Sequence, residues 1–183
     1  MSKIAVFTFI ALILLASPAI SEAQADSSRG MNIRFELGAG LGVAGQGGGL
    51  DGRLATMFVF QNWGGIVRVT AHDGGEGESV QSFIGTHTAK EKFYDSAILL
   101  SHVFIYQNSI KIIPSAGFGA FWGEKLDDEN ISLEKFDTVP GFAFELSLSS
   151  GGRVCGVAFT FIGNVNAESS AYGIIVSFTI GTR

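Results

Sequence analysis

The chain has 183 residues, with 12 Lys and Arg against 17 Asp and Glu and a net charge of −5; that length predicts a single domain. Only 16% of residues are charged while 46% are hydrophobic. The charge is well below the ~25% of an ordinary soluble domain, and the apolar share excludes a mostly disordered chain. A lone Cys155 excludes a disulfide scaffold and a CxxC-type zinc site, and the acidic balance argues against nucleic acid as a partner.

The chain opens on Lys3, an apolar run over residues 4–15 broken only by Thr8, then Pro18 and Ala23-Gln24-Ala25 ahead of Asp26. A basic start, a short apolar core and an A-x-A site describe a cleaved secretory signal peptide over residues 1–25. The core is too short for a membrane anchor, which needs roughly 18 apolar residues. No Cys follows it to carry a lipid. Residues 26–183 then form one barrel domain.

From residue 31 onward the apolar residues recur with period two. Ile33, Phe35, Leu37, Ala39, Leu41 and Val43 share one face, while Asn32, Arg34, Glu36, Gly38, Gly40 and Gly42 share the other. A strand separates such residues cleanly, whereas a helix scatters them. Comparable segments follow at 51–61, 64–72, 94–107, 110–122, 138–148, 153–162 and 171–182. Most approach the ~9–11 residues that a tilted strand needs to cross a bilayer. Asn62-Trp63-Gly64, Gln107-Asn108-Ser109 and Ser149-Ser150-Gly151-Gly152 read as tight turns, and 44–50, 73–93, 123–137 and 163–170 as longer polar loops. Short and long connections alternate. The expected fold is all-β: an eight-stranded antiparallel up-and-down transmembrane β-barrel, with short turns and both termini on the periplasmic side.

Both Trp and all three Tyr fall at strand ends. Trp63 and Tyr106 stand by short turns; Tyr94, Trp122 and Tyr172 stand by long loops. That is the placing of the aromatic girdles of membrane barrels. Segment 94–107 is apolar on both faces, so its inward side is open, and Pro114 predicts a local bulge because it cannot donate to a ladder. A soluble lipocalin-like barrel also alternates, but it needs charge along most strands. Here the deep-strand charges are only Arg34, Glu36, Arg53, Arg68, Lys111 and Glu145. If the apolar faces meet lipid, Arg34, Glu36, Arg68 and Glu145 point inward. Isolated charges in so narrow a space cost several kcal/mol each, so these four are expected to pair as a polar plug.

The chain resembles the small, poorly characterised outer-membrane β-barrel proteins of Gram-negative, Bacteroidota-like bacteria. The likeness in sequence is greatest at Ile113-Pro114-Ser115-Ala116-Gly117-Phe118-Gly119, at Gly163-Asn164-Val165-Asn166 and at Ser170-Ala171-Tyr172-Gly173-Ile174. The resemblance implies an outer-membrane location, contact with outer-membrane lipids and lipopolysaccharide, and insertion by the outer-membrane assembly machinery. Members often end on an aromatic that this machinery reads; here the last residues are Gly181-Thr182-Arg183 and the nearest aromatic is Phe178.

Some small barrels are lipid-modifying enzymes, which makes His72, His87 and His102 the candidate bases. Ser101 and His102 are neighbours and point to opposite faces of a strand. His72-Asp73 reads as a solvated strand end, and His87 lies in a long loop. No spacing matches a nucleophile–base arrangement, so no catalytic residue is expected. Gly47-Gly48-Gly49 and Gly74-Gly75-Glu76-Gly77-Glu78 lack the Lys-Ser/Thr of a phosphate loop and read as loop tips. Cys155 reads as a small apolar filler. Asp127, Asp128 and Glu129 offer oxygen ligands of the kind Ca²⁺ takes, but without the spacing or Gly of an EF-hand. The reading is a solvated acidic loop that meets the divalent cations bridging lipopolysaccharide. No resident metal or cofactor is expected, no specific protein partner can be named, and eight strands leave little room for a pore.

Overall fold

The computed structural model describes residues 31–45, 47–82, 85–106, 110–126, 133–151 and 154–181, without the side chains of 77–89. The expected signal segment 1–25, the turn Gln107-Asn108-Ser109 and the acidic trio Asp127, Asp128 and Glu129 lie outside the described residues. The strands are β1 (Asn32–Ala44), β2 (Gly47–Phe60), β3 (Trp63–Ser82), β4 (Gly85–His102), β5 (Phe104–Tyr106), β6 (Ile110–Leu126), β7 (Leu133–Gly151), β8 (Cys155–Asn166) and β9 (Ala171–Gly181). Successive strands pair antiparallel, and β1 also pairs with β9. Because β4 and β5 both pair with β6, they are two lengths of one stave, and the ring closes as an eight-stranded antiparallel barrel.

The alternation seen in the sequence sets the faces. Leu37, Leu41, Leu54, Ile98, Phe118 and Phe178 stand exposed on the outside, while Glu36, Arg53, Arg68, Asp95, Glu145 and Thr160 are buried within. A barrel in water inverts this order, so the exterior is built for a hydrocarbon solvent. In the stave left open by the sequence, Phe93, Asp95, Ala97, Leu99 and Ser101 are buried, while Ile98 and Leu100 are exposed. Tyr94 and Leu100 lie on the same outward register.

Of the four expected long loops, 44–50 and 73–93 give way to strand, while the connections over 127–132 and 167–170 stay longer than the turns at the other end. The connections over 45–46, 61–62 and 83–84 are all two residues long. What differs among these is overhang: β3 and β4 run on, paired, from Asp73↔Lys92 to Ser82↔Gly85, through irregularities at Asp73/Glu76 and Glu76/Ser79. Gly47–Gly49 and Gly74–Glu76, expected at loop tips, therefore lie in β2 and β3. Past the apolar band both faces of a hairpin meet water, so polar residues on both faces erase the period-two signal while the backbone pairing persists.

Three local expectations are corrected. The first turn is Gln61-Asn62, not Asn62-Trp63-Gly64, since Phe60 pairs with Trp63. Pro114 causes no register shift; the shift in the β6–β7 ladder falls between Phe121 and Gly123. Instead the stave opposite Pro114 breaks. Ser101 pairs with Ser115 and Phe104 with Ile112, which sets Pro114 opposite the β4–β5 junction, where a missing N–H leaves the ladder unpaired. On the other side of the stave the β3 register continues, with the Val103 N–H donating to the Asn62 carbonyl at 2.7 Å. Cys155 is exposed on the outer face and fills nothing.

Gln61 carries φ of 57° at the first central position of its two-residue turn, where Gly is the favoured residue. Gln61→Gly is therefore expected to raise the midpoint of urea unfolding in lipid vesicles, by up to about 1 kcal/mol once the strain relieved is set against added unfolded-state entropy.

Two apolar clusters lie inside the barrel. Toward the turns, Met57, Ile66, Leu99, Val103 and Ile113 pack together with Ala55, Ala97 and Ala143. Toward the loops, Phe93 and Phe121 pack with Ala44, Ala171, Phe136 and Val139; the rings of Phe93 and Phe121 stack at 5.5 Å. The buried Glu91 fastens this upper cluster. Its carboxylate accepts the N–H of Gly75 at 3.0 Å and of Leu126 at 3.1 Å, tying β3 to β6.

Candidate functional site

Between the clusters the lumen is charged. On β1, Arg34 Nε lies 3.4 Å from Glu36 Oε1. The other Glu36 oxygen meets Arg53 Nη1 from β2 at 2.5 Å. Arg53 then reaches across to Glu145 on β7, with Nη2 at 2.9 Å and Nε at 3.3 Å. Glu145 also accepts from Arg68 Nη1 on β3 at 3.0 Å. Arg68 Nη2 donates to Asp95 on β4 at 2.9 Å and to the Gly163 carbonyl on β8 at 3.1 Å. Beyond Asp95, His72 Nε2 stands 3.8 Å from that carboxylate and His72 Nδ1 3.2 Å from Asp51 on β2.

Cation and carboxylate thus alternate along the row Arg34, Glu36, Arg53, Glu145, Arg68, Asp95. In the ring order β2 and β7 are diametrically opposed, as are β3 and β8. The links from Arg53 to Glu145 and from Arg68 to Gly163 therefore span the full lumen. The side chains of Glu145 and Arg68 are 0% exposed, so each charge depends on its partner rather than on water. Arg34 also donates to Ser149 on β7, and Thr160 donates to Ser147 at 3.0 Å.

All four residues expected in the interior, Arg34, Glu36, Arg68 and Glu145, face the lumen. Arg34 meets Glu36 and Arg68 meets Glu145. Arg53, which the sequence showed only as a deep-strand charge, joins the two halves. Asp95 was hidden in the stave that is apolar on both faces. His72 is not a solvated strand end; it is buried between two carboxylates.

The five aromatics lie on the outer face at two levels. Trp63 and Tyr106 are exposed beside the turns. Tyr94 and Trp122 pair across β4 and β6 with stacked rings 6.1 Å apart, and one outward step beyond them Lys92 pairs with Glu124. Tyr172 lies beside Gly163 and 6.3 Å from the Phe144 ring. Charge begins where the aromatics end, as at an interface.

Of the candidate bases, His102 is held on the outer face by Trp63 at 4.6 Å and Phe104 at 4.5 Å. Ser101 beside it is buried on the inner side, so the two do not meet. His87 pairs with Val80 in the β3–β4 overhang, and its side chain lies outside the described residues. Among the described residues no group of three His, Cys, Asp or Glu side chains is arranged to hold a metal ion.

Solved structures share this architecture. Neisserial surface protein A superposes with a TM-score of 0.62 at 11% identity, over 85% of this chain and 99% of that one. Ail of Yersinia pestis, in complex with the heparin analogue sucrose octasulfate, gives 0.58 at 9% identity, over 85% and 100%. The fold is that of small outer-membrane barrels. OprG of Pseudomonas aeruginosa gives 0.54 at 13% identity, over 84% and 96%. No protein-family model matches the chain, and no curated protein matches it in sequence.

Proposed function

We propose that the protein is an integral barrel of the bacterial outer membrane, exported through a cleaved segment 1–25, with a structural or surface-interaction role and a closed lumen. The row of ion pairs across the lumen, from Arg34 to Asp95, carries this reading. A buried network of this kind fixes which strands face each other and leaves no continuous aqueous path for ions. The apolar exterior ringed by Trp63, Tyr106, Tyr94, Trp122 and Tyr172 supports contact with outer-membrane lipids and lipopolysaccharide. Outward Phe178 near the end of β9 is the aromatic offered to the assembly machinery.

The rim above the aromatics is acidic, with Glu76, Glu124, Glu134 and Glu168 beside Lys90, Lys125 and Lys135. That balance, with Asp127, Asp128 and Glu129 in the same sequence region, favours divalent cations bridging lipopolysaccharide over a polyanion such as the one bound by Ail.

In planar bilayers the purified barrel is expected to show no porin-like conductance, and in cells it should resist carbonate extraction from the outer membrane. Large, stable single-channel steps would overturn the closed lumen. The competing reading is a lipid-modifying enzyme using His102 or His72. It is tested with labelled lipid A and phospholipid: turnover abolished by His102→Ala would replace the role proposed here.

A further inference from the structure

The two ends of the barrel differ in charge. The connecting segments 61–62, 107–109 and 152–154 contain Arg153 and no Asp or Glu. At this same end, inside the mouth, Lys111 on β6 pairs across the ladder with Ser149 on β7. Directly paired residues hold their Cβ atoms roughly 5 Å apart, and Ser149 is the residue whose hydroxyl receives Arg34. Lys111 is therefore the ladder neighbour of the residue that Arg34 binds, and both cations stand at the same mouth.

Arg34 has a partner in Glu36, but the Lys111 charge is not balanced locally. Glu36 is the carboxylate beside Arg34, and its second oxygen is taken by Arg53. Among the described residues no carboxylate lies within ion-pair distance of Lys111; the nearest ion pairs at this mouth are those of Glu36 with Arg34 and Arg53. Lys111 is only half-buried and the Arg34 side chain keeps 15% of its surface open, so solvent reaches both. Two like charges held together at a mouth raise the local concentration of the opposite charge. A guanidinium, an ammonium and a hydroxyl present donors of the kind that a tetrahedral oxyanion accepts.

We propose that Arg34, Lys111 and Ser149 form a binding site for a phosphate-type oxyanion at the turn-side mouth of the barrel. The anion comes either from a lipid headgroup at that membrane face or from a free phosphate compound in the adjoining solution. The site is separate from the links of Arg53 and Arg68 to Glu145, and it does not depend on whether the lumen conducts.

The test uses the folded full barrel in a phosphate-free maltoside detergent. In one arm inorganic phosphate is titrated and binding is followed by ³¹P line broadening. In the other, phosphatidylglycerol is added to the micelles and retained lipid is counted by native mass spectrometry. Saturable binding in either arm supports the site, and the arm that binds names the source. Losing one charged donor is expected to weaken binding at least about tenfold in Lys111→Gln. Lys111→Arg should restore it, and Lys135→Gln, at the acidic end, should leave it unchanged. A heat-modifiability gel shows which variants are folded. No saturable binding in either arm, or equal binding by folded wild-type and Lys111→Gln protein, would overturn the proposal; so would a failure of folded Lys111→Arg to bind.

Discussion

Glu145→Ala is expected to lower the stability of the barrel by about 3–5 kcal/mol, the usual cost of removing one partner from a buried ion pair. Glu145 is the only carboxylate among the described residues that takes two guanidiniums from different strands across the lumen, Arg53 at 2.9 Å and Arg68 at 3.0 Å. Without it Arg53 keeps only Glu36, and Arg68 keeps Asp95 and the Gly163 carbonyl. Each guanidinium then holds buried charge that no water solvates. The loss should appear as a lower midpoint in urea unfolding from phospholipid vesicles, followed by tryptophan fluorescence. The double variant Glu145→Leu, Arg53→Met should recover most of that stability, because it leaves Arg34 with Glu36 and Arg68 with Asp95 and strands no charge. An unchanged midpoint in Glu145→Ala would show that the pairs do not govern stability. Failure of the double variant to recover would mean that the network's geometry, rather than its uncompensated charge, holds the strands.

The network was partly legible in the sequence, for a reason that also explains the gaps. Where one strand face was unambiguously apolar, a single charge on the other face had only one place to go; Arg34, Glu36, Arg68 and Glu145 were read that way. Asp95 escaped because Ile98 and Leu100 alternate with Leu99 and Val103, and apolar residues on both faces leave parity undefined. The structure shows that one of those two sets fills the interior of the barrel beside Ile113 and Met57. Asp51 and His72 escaped because each stood at a predicted strand end, and the end was placed where polar residues begin. The ladder pairs the two directly, so the strand boundary, not the chemistry, was misread. Pro114 has the defect that its sequence implies but another consequence: the missing donor breaks the partner strand instead of inserting a residue. The lateral alignment of opposed strands, which brings Arg53 to Glu145, depends on barrel closure and has no local signal.

The glycines of β1 yield the second large effect. Gly38, Gly40 and Gly42 all occupy the inward face, and at Gly40 the reason is steric. A Cβ there would run into the Ile174 carbonyl oxygen and lie 2.7 Å from both the Ile174 carbonyl carbon and Ile175 Cα. These are backbone atoms of β9, the strand that closes the ring on β1, so no side chain can rotate away. The sheet curls so sharply at this seam that one strand's backbone occupies the space beside the other's Cα. Gly40→Ala must push β1 and β9 apart along the join. The expected cost is about 3 kcal/mol or more, at or above the upper end for overpacking, where only side chains and small backbone shifts must yield. The folded fraction on a heat-modifiability gel should fall accordingly. Gly52 provides the control on the neighbouring strand: it faces outward, and a Cβ there meets nothing within 4 Å. Gly52→Ala should therefore be tolerated or gain roughly 0.5 kcal/mol from reduced unfolded-state entropy. If both alanine variants fold equally well, the seam is looser than this close approach requires, and the glycine stripe must be explained by something other than curvature.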